Sequence, residues 1–155
     1  MPLLKERDRQ ALQQEFSQMP DRVRIVFFTQ ALGCDTCGIT EQILTEIEPL
    51  ADKLELVKKN FAIDREDVAK YGIARIPAFA IVRLSEETDE TGEPELVEHD
   101  YGIRFYGVPS GHEFMSLIGA ILDVSTGDSQ LSPASRALAA QVSDPTHIQV
   151  FTTPT

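Results

Sequence analysis

Cys34 and Cys37 are the chain's two cysteines, set as Cys34-Asp35-Thr36-Cys37. A bridge across so small a loop removes little entropy from the unfolded chain, and a purely structural one does not persist in a reducing compartment. The spacing suits a dithiol that opens and closes. The thiolate is the nucleophile, and a free cysteine thiol titrates near 8.5, so at neutrality most of it is protonated. Apolar residues Ile39, Ile43, Leu44, Ile47 and Leu50 recur at helical spacing after the motif, over residues 36–51. Cys34 therefore stands where unpaired backbone N–H groups and the positive end of a helix favour its anion. Asp35 opposes that shift, which predicts a moderately activated thiol. Cys37, one turn on and buried, stays protonated until it displaces a mixed disulfide. Cys34 is expected to attack and Cys37 to resolve, the pair carrying the electrons without a cofactor.

Arg75-Ile76-Pro77 supplies the second element of the site. A cis Ile76-Pro77 bond, favourable only before proline, would turn the chain beside the cysteines. The backbone groups of Ile76 would then be free to pair with an extended substrate peptide. Proline also brings no ligand that could capture a metal at the dithiol. A zinc site needs four ligands, and the histidines are His99, His112 and His147 with no second close-spaced pair, so no metal is expected. An iron–sulfur cluster shared between two subunits is the other metal alternative. His112 reads as an exposed first-turn helix residue. Of Lys58 and Lys59, one can face the dithiol, because successive strand residues point to opposite faces.

The elements that must position these residues follow the hydrophobic pattern. Leu12 and Phe16 mark a helix over residues 5–18, and Ile25-Val26-Phe27-Phe28 lacks polar alternation, as a buried strand over 23–29 does. Residues 54–63 return to strand character, and Asp64 can cap a short helix through Tyr71 that Gly72 ends. Residues 78–82 form a further strand, followed by an acidic loop over 85–94 with no assigned role and a partner strand over 96–106. Ser110 and Glu113 have capping-box spacing ahead of a helix bearing Phe114, Leu117, Ile118, Ile121 and Leu122. A parallel strand–helix–strand start, an antiparallel hairpin and a closing helix predict an α/β fold: a mixed central sheet with helices on both faces.

Net charge of -11 disfavours nucleic acid and anionic membrane surfaces as partners. No stretch approaches the ~20 apolar residues of a membrane span, and no signal-like segment opens the chain. A cytoplasmic protein is expected. One unit over residues 1–126 suits the length. Residues 127–155 echo the beginning: Arg136-Ala137-Leu138-Ala139-Ala140-Gln141-Val142 repeats the first helix, and His147-Ile148-Gln149-Val150-Phe151-Thr152 the first strand. They are expected to be a linker with the initial helix and strand of a second unit.

With the strand, the Cys34-Asp35-Thr36-Cys37 motif, the Ile76-Pro77 turn and the hairpin in place, the chain resembles the thioredoxin superfamily. More narrowly it is similar to the first unit of the two-unit, glutaredoxin-like protein disulfide oxidoreductases. The matching stretches are residues 71–78 (Tyr-Gly-Ile-Ala-Arg-Ile-Pro-Ala), residues 101–114, which open Tyr-Gly-Ile-Arg-Phe-Tyr-Gly, and residues 150–155. The resemblance implies a thioredoxin-like fold and a redox pair at Cys34 and Cys37. It also implies a cis proline at Pro77, disulfide-containing protein substrates and reduction by a thioredoxin-reductase-like flavoprotein. Departures from the pattern are Gly33, where thioredoxins have tryptophan, and Phe28, where they have a buried aspartate. The competing expectation is a binding module that docks partner proteins at the Ile76-Pro77 edge while catalysis resides in a second unit.

Overall fold

The computed structural model describes residues 2–152. Its centre is β1 (Arg22–Thr29), in which Val23, Ile25, Val26, Phe27 and Phe28 are all buried. A strand covered on both faces needs neighbours on both edges. β1 runs parallel to β2 (Leu54–Asn60), from Val23 opposite Leu54 to Thr29 opposite Asn60. It runs antiparallel to β3 (Ala78–Thr88), from Arg22 opposite Leu84 to Phe28 opposite Ala78. The other edge of β3 holds β4 (Pro94–His99) and β5 (Arg104–Tyr106), so the sheet order is β2-β1-β3-β4 with β5 beside β3.

One face carries α1 (Glu6–Phe16), α2 (Cys37–Ile47) and α4 (His112–Thr126). Leu12, Phe16, Ile43, Leu44, Ile47, Leu117 and Ile121 pack there with Ile25, Phe27, Phe79 and Ile81. The other face is smaller: Val26, Phe28, Ala80 and Val82 meet Tyr71 and Ile73, which follow α3 (Arg65–Lys70). The mixed sheet with helices on both faces matches the expectation.

Local differences trace to side chains that bond backbone. β3 continues through Glu86, Glu87 and Thr88, where the sequence pattern predicts a loop. The Asp89 carboxylate accepts the N–H groups of Thr91 (2.8 Å) and Glu93 (2.9 Å) and tightens the turn, so the acidic residues pair in the ladder with their charges in solvent. The expected single strand over 96–106 is broken into β4 and β5. Asp100 accepts the Gly102 N–H (2.9 Å) and the Arg104 guanidinium (2.8 Å), and Gly102 turns at φ +79°. The N-cap of α4 is Gly111 at φ +60°, with no side-chain cap, so Ser110 lies one residue too early to form the capping box. Asp64 stands at the N-cap of α3, but its carboxylate accepts the Asn60 N–H (2.5 Å) instead of a helical one.

Beyond Gly127, α5 (Pro133–Ala139) is capped by Ser132 Oγ, which accepts the Ser135 N–H (3.1 Å), and it buries none of its residues. Residues 147–152 do not form the expected strand. Ile148, Val150 and Phe151 are 80–89% exposed, and no strand among the described residues lies beside them to complete a ladder. Residues 153–155, part of one matching stretch, lie outside the described residues.

Leu44 is fully buried between helix and sheet. Leu44→Ala is expected to lower stability by about 3 kcal/mol in urea unfolding, from lost transfer energy and the cavity left behind. Ending the chain at Val142 is expected to leave the urea midpoint unchanged, because residues 143–152 are exposed throughout.

Candidate functional site

The cysteine motif is delivered by the end of β1. Between Thr29 and α2 the loop folds on itself: Gln30 Nε2 donates to the Leu32 carbonyl (2.5 Å), and Gly33 takes φ +73°. Thr36 is the N-cap of α2, and its carbonyl accepts both the Thr40 N–H (3.2 Å) and the Thr40 hydroxyl (2.9 Å). Cys37 is the first helical residue. Cys34 and Cys37 are joined as a disulfide with Cα atoms 5.5 Å apart. Cys37 is 3% exposed, whereas Cys34 is only half-buried. Both stand where the first N–H groups of α2 lack carbonyl partners within the helix, and no acidic residue occupies its first turn.

The second element meets the first because Phe28 faces Ala78 across the sheet. That register puts the loop after β1 and the turn before β3 at the same end. The Ile76-Pro77 bond is cis, as expected. Pro77 is buried and its carbonyl accepts the Gly107 N–H (2.9 Å), whereas Ile76 is half-buried. The N–H and C=O of Ile76 have no hydrogen-bond partner among the described residues.

The turn over residues 72–77 is held from below. Tyr106 lies opposite Ala78, and its hydroxyl accepts the Ala74 N–H (3.5 Å). Arg104 Nε donates to the Tyr71 carbonyl (2.8 Å) while its other nitrogens bind Asp100. The Tyr71 hydroxyl donates to Glu98 (2.8 Å), which also pairs with Lys70 (2.8 Å) and Arg24 (3.3 Å). Burial pushes the Glu98 carboxyl up, but the hydrogen bonds from Lys70 and Tyr71 and the charges of Lys70 and Arg24 outweigh it and hold it below the usual range. The Tyr71 phenol is raised by its burial and by Glu98. Residue spacing does not reveal this scaffold, because its members come from β1, the end of α3, β4 and β5.

The two lysines divide as the strand period requires. Lys58 pairs with Glu41 of α2 (2.6 Å), and Lys59 with Asp67 of α3 (2.8 Å). The bond to Asp67 raises the Lys59 ammonium despite partial burial. An open polar groove beside the disulfide is lined by Gln30, Asp35, Glu41, Lys58 and Asn60. Glu41 belongs to no motif, and the one signal for it in the sequence is its place four residues after Cys37, on the same helix face. Beneath the motif the layer is apolar, with Phe28 packed edge-on to Tyr71 at 5.9 Å. His112 is exposed on α4, and His99 contacts Ser85 and Glu87. No group of three His, Cys, Asp or Glu suited to a metal occurs among the described residues.

Comparison with solved structures places this arrangement. A protein disulfide oxidoreductase from Aeropyrum pernix superposes with a TM-score of 0.71 at 20% identity, covering 89% of this chain and 55% of that one. The NTD_N/C domain of alkylhydroperoxide reductase from Enterococcus faecalis gives 0.70 at 25% identity, covering 86% and 58%. The chain is a thioredoxin-fold protein. No protein-family model matches the sequence. The F component of alkyl hydroperoxide reductase from Staphylococcus aureus is 34% identical over 101 residues, covering 64% of this thioredoxin-fold chain and 15% of the relative. The Staphylococcus epidermidis counterpart is 31% identical over 118 residues, covering 76% and 18%. The chain thus spans less than a fifth of the length of these curated relatives. No described helix is long and apolar enough to cross a membrane.

Because the Glu98 carboxyl is depressed in the folded state, its contribution is present above the unfolded value, about 4.3, and is lost as pH falls through the folded one. Glu98→Gln is expected to cost about 2 kcal/mol at neutral pH, since it removes hydrogen bonds to a charged group. The gap from wild type should close as denaturation is followed below about pH 4.

Proposed function

We propose that this chain is a thiol–disulfide oxidoreductase unit that reduces or exchanges protein disulfides through a mixed-disulfide intermediate. In the reduced state the Cys34 thiolate attacks one sulfur of a substrate disulfide. The Cys34–substrate bond forms, the substrate S–S bond breaks, and one substrate thiolate leaves to take up a proton. Cys37 then loses its proton and attacks the Cys34 sulfur, releasing the second substrate thiol and closing the Cys34–Cys37 disulfide. Two electrons pass to the substrate, and an external dithiol or a thioredoxin-reductase-like flavoprotein must return them. The observation that carries these roles is the unequal access of the two sulfurs, a buried Cys37 behind a half-buried Cys34 at the start of α2. The unpaired backbone of Ile76, beside Pro77 at the same end of the sheet, supports its use as the edge that holds an extended substrate. Similarity to the F subunit of alkyl hydroperoxide reductase supports a redox partner protein for this unit. Acidic composition and a two-cysteine inventory support a cytoplasmic setting without nucleic-acid or membrane partners.

A second assignment has one observation in its favour. Phe28 fills the place below the motif with an apolar ring and brings no carboxylate to take the Cys37 proton. On that assignment the unit is slow or inactive, docks partner proteins at Ile76, and leaves catalysis to a second unit. The exposed apolar residues Ile148, Val150 and Phe151 support residues 127–152 as a linker leading into such a unit.

Insulin reduction with dithiothreitol separates the two. Turnover by the wild type, its loss in Cys34→Ser, and accumulation of mixed disulfides in Cys37→Ser are the expected results. No turnover by the wild type would favour the docking module.

A further inference from the structure

The turn that presents the Ile76 backbone also presents an arginine. The Arg75 guanidinium lies 4.7 Å from the centroid of the Tyr106 ring. That ring is tied under the turn by the bond from the Ala74 N–H to its hydroxyl. Arg22, Arg24, Arg83, Arg104 and Arg136 each pair with a carboxylate, but Arg75, which is exposed, makes no ion pair or hydrogen bond among the described residues. Five N–H donors are therefore held by a ring face with nothing to donate to, one residue before the unpaired Ile76 groups.

We propose that Arg75 is a specificity-determining residue that binds a carboxylate on the substrate, resting on the thiol–disulfide chemistry proposed above for the same site. The site then prefers disulfide-bearing peptides with Asp or Glu beside the attacked cysteine. An extended peptide paired with Ile76 sends alternate side chains to opposite faces, so the residues flanking its cysteine fall within reach of Arg75. A planar guanidinium matches a carboxylate with two parallel hydrogen bonds, which an amide in its place cannot reproduce.

The acidity of the chain does not cancel this local charge. Glu86, Glu87, Asp89, Glu90, Glu93 and Glu95 belong to the hairpin at the far end of β3. Eight strand residues, 78–85, separate the first of these from the dithiol end, roughly 26 Å and about three screening lengths at physiological salt. Closer in, Glu41 is neutralised by Lys58 and Asp67 by Lys59. Asp35 of the motif and Asp64 of the groove are the groove carboxylates without a cation, and neither forms an ion pair with Arg75.

The test compares two disulfide-linked peptides that differ only in Glu or Gln flanking the cysteine, with uncharged hydroxyethyl disulfide as a measure of the dithiol itself. The wild type should favour the Glu peptide about fivefold in kcat/KM, the size of one exposed ion pair, through KM and not kcat. The preference should shrink at high ionic strength. Arg75→Gln should lose it while reducing hydroxyethyl disulfide at the wild-type rate, and Arg75→Lys should keep part of it. Equal rates on the two peptides, or an undiminished preference in Arg75→Gln, would overturn the assignment of Arg75 alone. Failure of the wild type on hydroxyethyl disulfide would overturn the thiol–disulfide chemistry and this assignment with it.

Discussion

The antiparallel pairing of β1 with β3 sets Phe28 opposite Ala78, and through that register two loops far apart in sequence come to share one end of the sheet. The pairing is specified because both faces of β1 are buried, and a shift of one residue would exchange Phe27 and Phe28 between two differently shaped layers. The core therefore sets where the Cys34 loop and the Ile76-Pro77 turn stand, and local bonds such as that from the Ala74 N–H to the Tyr106 hydroxyl then hold them. A rigid pair of strands carrying irregular connections at their ends is the common way to hold reactive groups at fixed separation.

Beneath that end the two layers are unlike. Apolar side chains from three helices fill the larger one, and their packing fixes the direction of α2 and so the aim of its N-terminus at the disulfide. The smaller layer has an aromatic floor under a ring of charge: Glu98 gathers Tyr71, Lys70 and Arg24, while Arg104 bridges Asp100 and the Tyr71 carbonyl. Partly buried charges are costly unless each finds a partner, and here every one does. The result is a stiff seat for the turn that ends at Pro77.

Much of this is legible in the residues. The apolar run from Ile25 to Phe28, the helical spacing after Cys37 and the proline at 77 each rest on local physics, and strand, helix and cis bond all appear where those signals stand. Legibility ends where a side chain bonds backbone some residues away, as Asp89 and Asp100 do in shaping β3, β4 and β5. It also ends where an element needs a neighbour. The residues around Val150 carry strand propensity, but a ladder requires a second chain segment, and none among the described residues lies beside them. The support under the turn is hidden for a similar reason, since Glu98, Arg104 and Tyr106 carry no motif and acquire meaning only from the register of β3 with its neighbours.

The sheet is open along β2 on one side and along β4 and β5 on the other, and both sides carry charge: Glu55, Lys58 and Lys59 along the first, Glu95, Glu98 and Arg104 along the second. Such edges resist the addition of a foreign strand, because a newcomer would have to strip water from fixed charges before gaining its first ladder bond. At Ile76 the unpaired groups stand between the exposed Arg75 and the buried Pro77, on a half-buried aliphatic residue. An extended segment is thus turned away along the flanks of the sheet, and the backbone groups left without partners lie at the end that carries the disulfide.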